Sequence, residues 1–266
     1  MTARAVTSLT NPTVKAVRAL HLRKAREESG VFLAEGLKIV TEAVELGHAP
    51  RILLHGPDVR AHPLLKKAAD AAAAGKGEVI EVTADILAKI SRRDNPQMVI
   101  GVFAQVLTPL QAIEPETASC WVALQQVRDP GNLGTIVRTA DAAGCGGVIL
   151  VGDCCDPYSV EAVRATMGSI FAVKIAKATG PDFLAWRKAW PGSVAGALLT
   201  ATTDYRAAAY RRPTLVLMGP EQAGLTPEMA AACDLRVKIP MRGRADSLNL
   251  SVATGILVYA AIEQLG

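Results

Sequence analysis

Four predicted buried strands in the second half of the chain, each a run rich in apolar residues, constrain its fold more than any other feature. Segments with helical spacing separate them, and the first two are continuous apolar runs. Such runs are typical of parallel strands whose sheet is covered by helices on both faces. The runs are CWVALQQV (120–127), GGVILVG (146–152), TLVLMG (214–219) and LRVKIP (235–240). They predict an α/β domain built on a buried parallel sheet, with a long final helix over 247–265.

The first half of the chain alternates strand and helix patterns on a smaller scale. Glycines close several of these segments, as they commonly do at helix and strand ends. The alternation predicts a smaller α/β unit. The predicted helices cover 12–28, 37–46, 62–75 and 84–91, and the predicted strands cover 31–36, 51–56, 78–83 and 98–106.

The stretch LTPLQAIEPETAS (107–119) separates the two halves. It contains two prolines and little periodicity, which is typical of a linker. A chain of 266 residues has room for two modest domains. We therefore predict an N-terminal domain over 1–106, a linker over 107–119 and a C-terminal domain over 120–266.

Composition excludes several classes of protein. No run approaches the roughly 20 apolar residues of a membrane span, and the first residues lack the apolar core of a signal peptide. The five cysteines include an adjacent pair and no C-x-x-C spacing, which disfavours both a disulfide framework and a zinc site. We expect a cytoplasmic protein with reduced cysteines, no bound metal and no membrane partner.

The positive charge of the chain is concentrated in its first half. Residues 1–105 hold 15 Lys/Arg and 11 Asp/Glu, whereas residues 106–266 hold 14 of each. The first 26 residues carry six basic side chains and no acid. This asymmetry suggests that the first half docks a polyanion, although a solvated helix face would give the same pattern.

Three segments place Gly, Asn, Ser or Arg directly after a buried strand, where ligands bind in open α/β sheets. In RDPGNLGTIVRTADAAG (128–144), Asn132 is expected to cap a helix and Arg138 to project from its first or second turn. That arrangement suits an anion such as phosphate. An ordinary strand-turn-helix with a surface arginine is the alternative interpretation.

The other two segments are LVLMGPEQAGL (215–225) and VKIPMRGRADSLNLSVATG (237–255). Gly219 and Gly224 permit close approach of the backbone to a ligand, and Glu221 between them is expected to act as a hydrogen-bonding brace. Ser247 and Asn249 stand at the start of the last helix. Helix capping alone would explain both of these residues.

Together, the three segments resemble the SpoU (TrmH-like) branch of the SPOUT RNA methyltransferases. R-A-T-M-G-S-I-F (164–171) resembles a further stretch of that family, and the first half is similar to its N-terminal substrate-binding domain. The matching motif residues are Asn132, Gly134 and Arg138; Gly219, Glu221, Gly224 and Leu225; and Ile239, Pro240, Met241, Ser247, Leu248, Asn249 and Ser251.

The resemblance implies a parallel-sheet domain with a C-terminal trefoil knot that binds S-adenosylmethionine, together with a smaller N-terminal α/β domain that binds RNA. It also implies a homodimer. The residues implied to bind the cofactor are Gly219, Ile239, Leu248, Leu217 and Met241. The implied catalytic residues are Arg138, Asn132, Glu221, Ser247 and Asn249.

The activity implied is methylation of a ribose 2′-hydroxyl in a structured RNA, most readily 23S rRNA. Aromatic residues make up only 4% of the chain, so the sequence favours recognition by RNA shape and phosphate over base stacking. Candidate RNA contacts are Arg18, Arg23, Lys24, Arg26, Arg92, Arg93 and Arg164.

Other functions remain open at this point. The RNA could be a tRNA, or the protein could be a non-catalytic RNA-binding factor for ribosome assembly. A dinucleotide-dependent oxidoreductase is disfavoured, because the turn after the first catalytic-domain strand is DPGNLG and not G-x-G-x-x-G.

Overall fold

The computed structural model describes residues 4–266. Contacts between residues group the chain into two compact units. The first contains the chain up to Gln105 together with Tyr158–Phe171, and the second contains Val106–Pro157 and Ala172–Gly266. These units are defined by contacts alone, so the functional domain bounds predicted from the sequence (1–106, 107–119 and 120–266) remain a prediction. One segment of the expected catalytic domain, Tyr158–Phe171, nevertheless packs with the first unit.

The described residues form twelve strands and ten α-helices. The strands are β1 (Arg4–Val6), β2 (Val31–Glu35), β3 (Ile52–His55), β4 (Glu78–Val82), β5 (Val99–Ala104), β6 (Cys120–Gln125), β7 (Gly147–Val151), β8 (Lys174–Ala178), β9 (Ser193–Ala197), β10 (Thr203–Asp204), β11 (Thr214–Met218) and β12 (Leu235–Lys238). The helices are α1 (Pro12–Ala19), α2 (Arg23–Ser29), α3 (Leu37–Glu45), α4 (Pro63–Ala74), α5 (Ala84–Ser91), α6 (Pro130–Ala142), α7 (Val160–Thr166), α8 (Gly180–Arg187), α9 (Pro227–Ala231) and α10 (Leu250–Leu265).

The first unit contains a five-stranded sheet in the order β1-β4-β3-β5-β2. Strands β1, β4 and β3 are parallel, whereas β5 runs antiparallel to both β3 and β2. Helix α7 joins this unit because its flanking aromatic residues pack on β2. Phe32 lies 4.8 Å from Tyr158 and 5.6 Å from Phe171 between ring centroids, within the range of about 4.5–7 Å that aromatic pairs prefer.

The single helix predicted over 12–28 is wrong, because the chain breaks it between α1 and α2. The break is held by a buried arginine: Arg26 is only 3% exposed, and its Nη1 donates to the carbonyl oxygen of Leu20 at 2.7 Å. A carbonyl freed at a helix end needs such a donor. No local pattern indicates that an arginine turns inward to supply it.

The second unit contains a seven-stranded sheet in the order β10-β12-β9-β11-β6-β7-β8. Every strand pair in it is parallel, which confirms the predicted parallel sheet. Strands β6, β7 and β11 are buried at every position, as predicted. The expectation that β12 is a buried strand is wrong, because β12 lies next to the short edge strand β10 and only its Val237 is buried. Strands β8, β9 and β10 were not predicted. The apolar run SVAGALL (193–199) is the signal that would have predicted β9.

The predicted linker 107–119 is not a free connection but packs within the second unit. Leu110 and Ile113 are buried in its core. The backbone N–H of Thr108 donates to the carbonyl oxygen of Ile175 at 2.8 Å, and Trp121 Nε1 donates to the carbonyl oxygen of Pro115 at 3.0 Å. Proline-rich composition therefore marked an irregular segment correctly, but it did not make that segment mobile.

Parallel pairing brings the carboxyl ends of β6, β7, β9, β11 and β12 to one edge of the second sheet. The loops after these strands, and the N-termini of α6 and α10, lie at this edge, where ligands bind in open α/β sheets. No helix within residues 4–266 has the length and apolarity to cross a bilayer. The cytoplasmic location expected from the sequence stays a prediction.

Candidate active site

Three side chains from distant parts of the second unit meet in one hydrogen-bond network. Asn132 Nδ2 donates to Glu221 Oε1 at 2.7 Å, and Asn249 Nδ2 donates to Asn132 Oδ1 at 2.8 Å. Asn249 Nδ2 also lies 3.3 Å from the same Glu221 oxygen, and the backbone N–H of Leu250 donates to that oxygen at 3.2 Å. The three segments singled out in the sequence therefore converge at the carboxyl edge of the sheet.

Asn249 holds this network and also caps helix α10. Its Oδ1 accepts from the backbone N–H of Ser251 at 2.9 Å and from the hydroxyl of Ser251 at 2.6 Å. Capping uses the acceptor end of the amide, which leaves the donor end free to bridge Asn132 and Glu221. The two interpretations of Asn249, as a cap and as a site residue, are compatible.

Asn132 does not cap helix α6, so that expectation is wrong. The cap is Asp129, whose Oδ1 accepts from the backbone N–H of Asn132 at 2.6 Å. Asp and Asn are equally good caps, and the helix begins three residues earlier than the sequence suggested, with Pro130 at its first position. Because Asn132 stands inside the first turn, its side chain is available for Glu221 and Asn249.

Arg138 lies in the third turn of α6, later than the first or second turn that we expected. It is exposed and makes no hydrogen bond or ion pair within residues 4–266. Six residues of helix separate it from Asn132, or about 9 Å along the axis. Its guanidinium therefore keeps all five donors available for an anion outside the chain.

A cavity of about 380 Å³ lies beyond the carboxyl ends of β9, β11 and β12. Its volume falls within the range of about 300–1,000 Å³ that small-molecule and cofactor sites occupy. Four predicted cofactor residues (Gly219, Ile239, Met241 and Leu248) line it, as do Glu221 and Ser247. Residues 197–200 form a further wall that was not predicted, because β9 was not predicted. Neither Asn132, Asn249 nor Arg138 lines the cavity.

Leu217 is a predicted cofactor residue that the structure places elsewhere. It lies in β11, is fully buried and belongs to the apolar core of the second unit. The side chains of a strand alternate between the faces of its sheet, and those of a parallel sheet pack under helices on either face. A residue inside the strand therefore contributes to the core, and only residues at its carboxyl end reach the cavity.

Gly219 begins the tight loop that forms one wall of the cavity. A Cβ at this position would lie 2.3 Å from the carbonyl carbon of Gly224 and 2.4 Å from the nitrogen of Leu225. Gly224 itself has φ +65°, a conformation that favours glycine. Gly219 thus allows two parts of the same loop to approach each other closely. This loop conformation places Glu221 beside both the cavity and the hydrogen-bond network.

Ser247 lines the cavity but does not join the network. Its hydroxyl donates to Asp246 Oδ1 at 3.1 Å. It therefore lies beside the predicted cofactor residues rather than beside Asn132 and Asn249.

Two cysteines lie in the loop after β7, at the same edge of the sheet. Burial raises the pKa of the Cys155 thiol to about 12 and also raises the pKa of Cys154. Both thiols stay protonated near neutral pH, whereas the nucleophile in cysteine chemistry is the thiolate. Neither thiol is therefore suited to act as a nucleophile at this site.

Some of the candidate RNA contacts form a basic surface on the first unit. Arg18, Arg92 and Arg93 are exposed and line a shallow depression together with Lys89. Asp85 and Asp94 line the same depression, so four basic residues and two acids share it. We call the four basic residues the basic cluster. Arg23 and Lys24 are also exposed, but each lies near an acid one helical turn later, with Arg23 Nε 2.7 Å from Glu27 and Lys24 Nζ 3.8 Å from Glu28.

The structure corrects the predicted RNA contact at two positions, Arg26 and Arg164, because both side chains are engaged within the protein. Arg26 is buried against the carbonyl of Leu20. Arg164 forms a bidentate ion pair with Glu35, whose side chain is only 4% exposed. A guanidinium already engaged by the protein is not free for phosphate, and no sequence pattern distinguishes such an arginine from an exposed one.

A buried parallel sheet, an apolar cavity beyond its carboxyl edge and a polar network at its rim define an α/β enzyme that binds a small molecule. The SpoU rRNA Methylase family model matches residues 119–259, and the MRM3-like substrate binding domain model matches residues 11–101. The chain therefore belongs to the SpoU rRNA methylase family, which confirms the resemblance found in its motifs.

Similarity to known proteins extends across both units. The solved AdoMet-bound rRNA methyltransferase from Sinorhizobium meliloti is 48% identical, with a TM-score of 0.93 over 99% of this chain and 98% of that one. The 23S rRNA (uridine(2479)-2'-O)-methyltransferase of Streptomyces viridochromogenes is 30% identical over 91% of this chain and 86% of the relative. The tRNA (guanosine(18)-2'-O)-methyltransferase of Escherichia coli (strain K12) is 32% identical over 61% of this chain and 69% of the relative.

We predict that Asn249→Ala lowers the free energy of unfolding by about 1 kcal/mol, because it removes the cap of α10. Asn249→Ser is the matched variant, since serine caps equally well but is too short to bridge Asn132 and Glu221. Chemical denaturation should show that Asn249→Ser retains most of the stability that Asn249→Ala loses. Equal losses in both variants would mean that the bridge, and not the cap, holds the start of α10.

Proposed function

We propose that this protein transfers a methyl group from S-adenosylmethionine to a ribose 2′-hydroxyl of 23S rRNA. The observation that carries the proposal is the single carboxylate of Glu221, which lies on the wall of the cavity and accepts from Asn132, Asn249 and Leu250. Glu221 thereby connects the wall of the cofactor cavity to α6, the helix that bears Arg138. Catalysis requires a fixed position of the cofactor relative to Arg138, whereas binding alone does not.

The cavity suits S-adenosylmethionine, the cofactor of this family. Its walls are mostly apolar and suit an adenosine, while Glu221 and the backbone around Gly219 supply the few polar groups that fix orientation. S-adenosylmethionine supplies the methyl group, so the protein has to orient the reactants and exclude water. Holding them in line accounts for several kcal/mol of rate acceleration, on the order of the gains of oriented intramolecular reactions.

The 2′-hydroxyl is a poor acid, and this chain must stabilise the alkoxide that develops during attack. Arg138 has free donors, and a guanidinium does not give up its proton in proteins, which makes it a poor base but a strong electrostatic partner. We assign it to bind the phosphate next to the target ribose and to stabilise the developing charge. A phosphate oxygen or a water accepts the proton. Asn132 and Asn249 orient the turn of α6 that leads to Arg138, and Ser247 holds the cavity loop.

Arg138→Ala is expected to reduce kcat about 100-fold or more, because it removes the donor that stabilises developing charge. Its affinity for S-adenosylmethionine, measured by calorimetry, should stay at the wild-type value. Lys188→Ala, which removes an exposed cation at the end of α8 in the same unit, is the matched control and should retain activity. Wild-type turnover by Arg138→Ala would refute the assignment.

A non-catalytic RNA-binding factor is the second candidate function. The same calorimetry tests it, since failure of the wild-type chain to bind S-adenosylmethionine would favour that candidate. The intact network of Asn132, Glu221 and Asn249 supports the enzyme instead.

Ribosomal RNA is favoured over transfer RNA by the extent of similarity. The chain resembles the 23S rRNA enzyme over 91% of its length and the tRNA enzyme over 61%. We propose that the basic cluster docks the rRNA through backbone phosphates, which needs no stacking aromatic residues.

The triple variant Arg18→Gln, Arg92→Gln, Arg93→Gln is expected to bind transcribed 23S rRNA more weakly and with less salt dependence. The slope of log affinity against log salt should become shallower by about 0.9 for each phosphate that the variant no longer neutralises. Lys38→Gln, Lys66→Gln, Lys67→Gln removes the same charge elsewhere on the first unit. An equal loss of affinity in this control would show that net charge, and not the cluster, binds the RNA.

We also propose that the protein is a homodimer formed through helix α10. This helix is apolar around its whole circumference, which is typical of a buried helix. Val252 and Tyr259 are nevertheless about half exposed, and they lie with Ile256 on one stripe. A second copy packed on this stripe would bury it. Helix α6, which bears Arg138, packs against α10. We propose that Arg138 of one protomer reaches the cavity of its partner, because it does not line the cavity of its own chain.

Tyr259→Asp should give a monomer by light scattering, because it places a charge in the proposed interface. Leu22→Asp alters an equally exposed apolar residue of the first unit and should leave the oligomeric state unchanged. Mixed dimers of Arg138→Ala with Leu248→Asp should recover activity that neither variant has alone. A fully active Tyr259→Asp monomer would contradict the proposal.

The trefoil knot implied by the family is proposed for the segment that follows β11. Strand β11 lies between β9 and β6, and the chain returns past it to form β12 beside β9. The loop 239–249 then leads to α10 past the tight loop at Gly219. This order of strands supports a chain path in which the C-terminal segment passes through an earlier loop.

A further inference from the structure

The two central arginines of the basic cluster lie on a turn with an unusual backbone. Arg92 ends helix α5 in the left-handed conformation, with φ +55°, and its N–H donates to the carbonyl oxygen of Ala88 at 2.8 Å. Such a conformation is unfavourable for arginine and persists only where its surroundings hold it. The two preceding carbonyls, of Ile90 and Ser91, belong to residues buried in the first unit. Their hydrogen-bond partners therefore decide whether the turn is held.

Arg164 supplies the partner for Ser91. Its Nη2 donates to the carbonyl oxygen of Ser91 at 2.6 Å and to Glu35 Oε1 at 2.8 Å, while its Nε donates to Glu35 Oε2 at 3.1 Å. Glu35 fixes the guanidinium plane through two parallel bonds, a geometry that only arginine provides. The remaining donor direction then points at the end of α5.

His21 supplies the partner for Ile90. Its Nε2 lies 2.7 Å from the carbonyl oxygen of Ile90. Burial lowers the pKa of His21, so the ring is neutral near pH 7 and donates a single hydrogen there. Two side chains from other elements of the first unit thus satisfy the last carbonyls of α5, which a helix end leaves without partners of its own.

We propose that Arg164 is a positioning residue for RNA binding, which holds the turn that presents Arg92 and Arg93 to phosphate without touching the RNA. This inference rests on the proposed docking of rRNA by the basic cluster. The charge of Arg164 is offset by Glu35, so it adds little to the positive field of the cluster. Its contribution is the orientation of two other arginines, and it gives R-A-T-M-G-S-I-F (164–171) a role in substrate binding.

Arg164→Lys tests the proposal in the full-length protein. Lysine keeps the charge but cannot bond both oxygens of Glu35 and the Ser91 carbonyl in one plane. We expect faster amide hydrogen exchange at residues 91–94. Affinity for transcribed 23S rRNA should fall about as far as in Arg92→Gln, Arg93→Gln, with the same flattening of the salt dependence. Affinity for S-adenosylmethionine should not change.

A double-mutant cycle separates positioning from direct contact. If Arg164 acts through the turn, adding Arg164→Lys to Arg92→Gln, Arg93→Gln causes no further loss of affinity. An additive loss, or wild-type affinity in Arg164→Lys, would overturn the inference. Wild-type affinity in Arg92→Gln, Arg93→Gln would instead overturn the proposed docking. Should Arg164→Lys fail to fold, Glu35→Gln weakens the same fork and is expected to reproduce its effects in part.

Discussion

The candidate site depends on one oxygen atom, Oε1 of Glu221, which accepts from side chains and backbone of two other segments. Hydrogen bonds to a carboxylate are stronger than those between neutral groups, and this one ties the loop after β11 to α6 and to the start of α10. None of these segments is close to another in sequence. The shared acceptor therefore couples the cavity wall directly to the first turn of the helix that bears Arg138.

The backbone of the sheet makes that arrangement possible. Parallel strands present their carboxyl ends at one edge of the sheet. The loop there folds back on itself at Gly219, where a Cβ would lie 2.3 Å from the carbonyl carbon of Gly224. This path of the loop turns Glu221 toward two amides while the loop itself lines an apolar cavity. Backbone packing in this loop thus decides where Glu221 lies, and Glu221 in turn holds the first turns of α6 and α10.

The sequence predicted those parts of the fold that depend on local pattern. Runs rich in apolar residues identified β6, β7, β11 and β12, and motif residues identified the network. The short, small-residue strand β9 escaped, and with it the cavity wall at 197–200. Asp129 and Asn132 are both competent caps, so only the register of the helix could decide between them. Such choices depend on tertiary contacts that no local window contains.

The arginines show why residue type alone does not assign function. Arg26 donates to a backbone carbonyl inside the first unit, and Arg164 is engaged by a buried carboxylate. Both have used the hydrogen bonds that would hold a phosphate. Arg138 has no such partner within residues 4–266. It stands on the helix whose first turn the site network fixes. Its exposed guanidinium is therefore available to an anion from outside the chain.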